Sequence, residues 1–78
     1  MIYYLLFFTI HDVLRAEKVL KKNNIPIELV PVPRNLSSDC GMCIKLEGDM
    51  TTSKMLLNAI EMEKCVSYDG KDYKTITL

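Results

Sequence analysis

Cys40-Gly41-Met42-Cys43 is the stretch of this chain with the strongest claim to chemistry. A thiol acts as a nucleophile or a metal ligand only as thiolate, so neighbours that favour the anion matter as much as the cysteine itself. Arg34 precedes Cys40 by six residues, and Ser37 and Ser38 lie between them; His11 is the chain's single histidine. Gly41 lacks a side chain and lets a substrate or another backbone come close to its neighbour. An exposed Cys40 is one reading, and an inert buried cysteine, the commoner state of a free thiol, is the other.

The C-x-x-C spacing opens two more. A dithiol redox pair normally sits at a helix start after a strand, whereas this motif reads as the beginning of a strand. Extended backbone separates residues three apart by about 10 Å, beyond the roughly 7 Å between Cα atoms that a disulfide tolerates, so a turn at Gly41 would be needed. For a metal, His11, Cys40, Cys43 and Cys65 would supply a Cys₃His set of the kind zinc accepts, but structural sites usually use two tight ligand pairs and only one is present. Cys65 and His11 read more simply as a core residue and a helix-start residue. Neither a Gly-rich phosphate loop nor a serine-type catalytic set is visible, and no cofactor is implied.

These residues need elements to position them. Residues 2–9 are apolar on both parities, as in a central strand covered on two faces. From His11 to Asn23, Val13, Leu14, Ala16, Val19 and Leu20 recur at helical spacing, with Thr9, His11 or Asp12 as the cap and Asn23-Asn24 before Ile25-Pro26 as the stop. Ile27 to Pro33 forms a second strand, which Pro31 and Pro33 assign to a sheet edge. Residues Arg34 to Asp39 make a polar loop, and Cys40 to Glu47 a third strand. Asp49, Thr51 or Thr52 caps a second helix with Met55, Leu56, Ala59 and Ile60 on its apolar face; Met42, Met50, Met55 and Met62 read as core filler. Cys65 to Tyr68 and Tyr73 to Thr77 flank Asp69-Gly70 as a hairpin.

The order βαββαβ with a terminal hairpin predicts an α+β fold: a ferredoxin-like sandwich, mostly antiparallel, with both helices on one sheet face and strand order 4-1-3-2. In that topology His11, Arg34, Ser37, Ser38, Cys40 and Cys65 gather at one rim of the sheet.

Composition narrows the class. Seventy-eight residues make one domain, and 49% hydrophobic content suits a packed core, although a domain this small gains from forming a homodimer. Ten basic residues balance ten acidic ones, which argues against nucleic acid and anionic lipid as partners. Lys18, Lys21 and Lys22 read as complements to a helix dipole. The apolar opening has no basic flank or cleavage site and is about half the length of a spanning helix, so no membrane anchor is expected. Three cysteines, an odd number, fit a reducing, cytoplasmic setting.

The segment Pro31-Val32-Pro33-Arg34-Asn35-Leu36-Ser37-Ser38-Asp39-Cys40-Gly41 resembles the bacterial selenium/sulfur carrier-like family, long catalogued only as a domain of unknown function. Upstream, His11, Ala16-Glu17-Lys18, Leu20, Ile25-Pro26 and Val30-Pro31 are similar to that family's first helix and second strand, so the resemblance spans roughly residues 3–47. It implies an accessory protein, rather than a stand-alone enzyme, that holds sulfur or selenium on Cys40 between donor and acceptor proteins, with Arg34 and the two serines around it. In similar proteins the position of Cys43 is not regularly cysteine, which counts against a required dithiol. The competing classes are a noncatalytic interaction or regulatory module and a thiol redox or metal protein using Cys40 and Cys43.

Overall fold

The computed structural model describes residues 2–34, 36, 41–48 and 50–76. Among them the chain forms two helices and one five-stranded antiparallel sheet, in the order β1 (Ile2–Phe7), α1 (Ile10–Lys22), β2 (Ile27–Pro31), β3 (Met42–Glu47), α2 (Met50–Leu56), β4 (Met62–Tyr68) and β5 (Tyr73–Ile76). The strands lie side by side as β2-β3-β1-β4-β5. β1 is therefore interior, which is why it is apolar on both parities, and β2 with Pro31 is an edge.

α1 begins where Thr9, in extended conformation, accepts a hydrogen bond at 3.2 Å from the Asp12 amide, so Thr9 is the cap among the three candidates. It ends at Asn23, and Asn24 follows with φ 61°, a left-handed turn that asparagine tolerates. Val13, Ala16 and Leu20 face the sheet and meet Leu5, Phe7, Ile44, Leu46 and Cys65. Leu57 and Ile60, just beyond α2, complete this side, so both helices cover the same face. The other face carries a smaller cluster of Leu6, Cys43 and Val66, flanked by half-buried Tyr4, Val30, Val32, Leu36 and Tyr73.

Several sequence expectations are corrected. β1 stops at Phe7, and Phe8 is exposed before the cap. β3 starts at Met42, because Gly41 has φ +79° and leaves strand geometry. α2 closes after seven residues, and the following turns, rather than a continuing helix, carry Leu57 and Ile60 inward. Met55 and Ala59, expected on the apolar face, are both exposed, Met55 by 74%, so Met55 is not core filler. β4 starts at Met62, three residues before Cys65. The hairpin turn is held by Asp69, whose carboxylate accepts from the amides of Lys71 and Asp72, each at 2.8 Å.

Candidate functional site

β1 and β3 run antiparallel with Leu6 opposite Cys43, and β2 continues the row with Val30 opposite Cys43 and Pro31 opposite Met42. Beyond that last pair the Val32 amide donates to the Gly41 carbonyl at 3.0 Å. The ladder thus reaches Gly41, whose φ of +79° turns the entering chain off the strand line. A Cβ at Gly41 would meet nothing within 4 Å, so glycine is needed there for its backbone conformation and not for space. At the other end of the loop the Leu36 amide donates to the Pro33 carbonyl at 2.9 Å, a tight turn that presents Arg34 to solvent. Leu36 itself is half-buried against Leu6, Cys43 and Val66, so it anchors the loop on the helix-free face. This anchor was missed in the sequence, where one leucine in a polar segment was the signal.

Cys40, Ser37 and Ser38 lie outside the described residues. The others are placed as follows. Arg34 and Gly41 are exposed at the rim where β1 hands over to α1. His11 is the exposed second residue of α1, at that same end of the sheet. Cys43 is fully buried one row inside the rim, on the helix-free face beside Tyr4. Burial first, then the nearby Cys43, Tyr68 and Glu28, push the Tyr4 hydroxyl above its ordinary range.

Cys65 does not join the rim. Because β4 starts early, Cys65 stands opposite Leu5 and Ile76 in the middle of the sheet, on the helix-covered face. Its thiol donates to the Met50 thioether at 3.8 Å, and burial pushes its pKa up to about 11. Cys43 and Cys65 thus point to opposite faces, so the set His11, Cys40, Cys43 and Cys65 cannot close around one ion. For the C-x-x-C pair the geometry changes in the other direction: the bend at Gly41 that a bond from Cys40 to Cys43 requires is present.

The helix-free face also carries Tyr4, Tyr68 and Tyr73 as an aromatic group, with Tyr68 and Tyr73 stacked at 4.5 Å between centroids. The hollow bordered by Pro26, Ile27, Glu28, Lys45 and Glu47 lies at the end of β2 and β3 remote from Gly41, so it does not belong to this rim.

No curated protein and no solved structure matches the chain. A family model does, over residues 2–65, a span that takes in the sheet's four longer strands' common core up to Cys65, both helices and the whole loop from Arg34 to Gly41. On that match the chain belongs to the family described as "Putative Se/S carrier protein-like".

Proposed function

We propose that this protein is a cytoplasmic carrier that receives sulfur or selenium on Cys40 and passes it on, and that its sheet is the ferredoxin-like four-strand arrangement with β5 added at the edge. The observation that carries the reading is the burial of the other two thiols. Cys65 is sealed under α2 with its pKa pushed up to about 11, and Cys43 is closed into the sheet, while the family match spans Cys40. Buried thiols in apolar surroundings are poor nucleophiles, which leaves Cys40 to do the chemistry.

In the transfer, the Cys40 thiolate attacks the terminal sulfur of a donor persulfide R–S–SH. The donor's S–S bond breaks, R–S⁻ leaves, and Cys40–S–SH forms, so no external oxidant or reductant is consumed. The selenium case replaces the terminal sulfur. Arg34 stabilises the anionic adduct, and Ser37 or Ser38 supplies hydrogen bonds to it. Gly41 supplies the left-handed backbone turn next to Cys40, and His11 at the start of α1 is a further polar group at the same rim.

Intact mass after incubation with a cysteine desulfurase and cysteine tests the reading. One added sulfur, absent in Cys40→Ser and present in Cys43→Ser, is the expected result; wild type that never gains it defeats the carrier. The bend at Gly41 favours one second reading, a Cys40–Cys43 dithiol. Quantitative formation of that bond under mild oxidation, read by peptide mapping, would replace the carrier with a redox protein.

A further inference from the structure

We infer that the outer face of α1, together with Phe8, is the surface on which a persulfide-donor protein docks, and that this donor presents an apolar patch ringed by carboxylates; the inference rests on the carrier reading above. The core uses one stripe of the helix, Val13, Ala16 and Leu20. Ile10 and Leu14 lie off that stripe, one turn apart, and are 42% and 47% exposed; Phe8, just before the cap, is 51% exposed. Three large apolar residues within seven positions, none of them used by the core, are exposed around the start of α1, a concentration of the kind that marks an interaction site.

The charge around the patch says what fits it. The whole chain is neutral, with ten basic and ten acidic residues, but α1 alone carries Arg15, Lys18, Lys21 and Lys22 against Asp12 and Glu17. The two acids are already engaged, Asp12 by Arg15 at 3.4 Å and Glu17 by Lys21 at 3.0 Å. At 100° per residue, Leu14, Lys18 and Lys22 follow one another across the pole opposite the buried stripe. An apolar patch continued by exposed ammonium groups complements an acidic partner. A second copy of this chain presenting the same face has only Asp12 and Glu17 as acids, both already paired with Arg15 and Lys21, so it lacks carboxylates to meet Lys18 and Lys22.

Position supplies the reason for a donor. Phe8 and Ile10 lie where β1 passes into α1, and β1 ends beside the start of β3, so the patch borders the same rim as Gly41 and Arg34, the two ends of the loop that holds Cys40. A protein seated on it and extending over this rim would meet the two ends of that loop, Arg34 and Gly41.

The test compares two sulfur sources on three proteins: wild type, Ile10→Ser/Leu14→Ser, and Lys18→Glu/Lys22→Glu, each checked for an unchanged far-UV spectrum and urea midpoint. The sources are a cysteine desulfurase preloaded with cysteine, and inorganic polysulfide, which needs no docking. Each double variant is expected to lose about tenfold in kcat/KM for the desulfurase, chiefly through KM, with no change for polysulfide. Equal rates for all three proteins with the desulfurase overturn the inference, as does a parallel loss with both sources. It also falls if wild type sediments as a dimer that the variants dissociate, or if wild type takes sulfur from polysulfide but not from the desulfurase. Failure of wild type with both sources defeats the carrier reading instead.

Discussion

The two faces of the sheet are built to different standards. The helix-covered face interlocks side chains from β1, β3, β4 and α1 with Leu57 and Ile60, and most of the fully buried volume is there. The helix-free face closes over three residues only, Leu6, Cys43 and Val66, and its roof is made of half-buried side chains: the tyrosines toward one end and Val32 and Leu36 toward the rim. Among the described residues each face holds one cysteine, Cys65 on the covered face and Cys43 on the other. Cys65 is a small apolar filler on the helix-covered face, whereas Cys43 packs in the cluster against which Leu36 rests. The larger core lies on one side and the Leu36 contact on the other, so the residues around Cys43 can be altered without opening the main core.

Truncation on each face tests that division, and its effect is the largest expected. Leu5→Ala, on the covered face, should cost about 4 kcal/mol, because rigid helices hold the cavity open; Leu6→Ala should cost about 2 kcal/mol, because Tyr4 and Leu36 can settle inward. A domain of this length has a total stability on the order of 5–10 kcal/mol, so Leu5→Ala alone removes a large share of it. Urea unfolding followed by circular dichroism reads both, and equal losses would erase the distinction between the faces.

A second, smaller effect sharpens it by pH. The folded chain holds the Cys65 proton more tightly than the unfolded chain does, since burial raises its pKa to about 11. Its contribution is therefore complete below the ordinary thiol range and is lost as pH rises through about 11. The stability gap between wild type and Cys65→Ala should stay level through neutral pH and narrow on the alkaline side. A gap that holds constant beyond pH 11 would mean that Cys65 titrates as an exposed thiol.

Much of this was legible in the chain, and the misreadings have physical causes. β1 announced its interior place by being apolar on both parities, and Pro31 and Pro33 marked the β2 edge. The α1 boundaries were within a residue or so because Thr9 and Asn23-Asn24 are strong local signals. α2 was misread because its periodicity continues to Ile60, whereas after the Leu57 amide donates to the Ser53 carbonyl the bonds tighten to the third residue back; Leu57 and Ile60 are buried and Met55, within the helix, is exposed. The start of β3 was misplaced because a glycine in a strand pattern is equally compatible with extended and left-handed backbone, and only the pairing of Val32 with Gly41 decides. Cys65 was moved away from the rim for a related reason: Met62, Glu63 and Lys64 hide the beginning of β4 under two charges. At the site, the residue types pointed to thiol chemistry, but the Leu36 anchor and the patch on α1 depend on which apolar residues the core leaves unused.

The smallest expected effect concerns Arg34, and it asks whether the loop's electrostatics belong to the site or to solvent. Arg34 is exposed in the turn closed by the Leu36 amide and the Pro33 carbonyl, so water screens its charge. A cation near a thiol lowers the thiol pKa and enlarges the thiolate fraction, but at an exposed site the gain is no more than about 1 kcal/mol, or roughly twofold to fivefold in reactivity at neutral pH. Arg34→Ala should therefore leave the urea midpoint unchanged and slow iodoacetamide labelling of Cys40 by that factor, while Arg34→Lys keeps most of the rate because a point charge suffices. The difference should shrink as salt is added and vanish at high pH, where the thiol is ionised with or without help. Identical labelling of wild type and Arg34→Ala from pH 6 to 9 at low salt would remove Arg34 from the site, and the anion would then have to be stabilised by the hydrogen bonds of the loop alone.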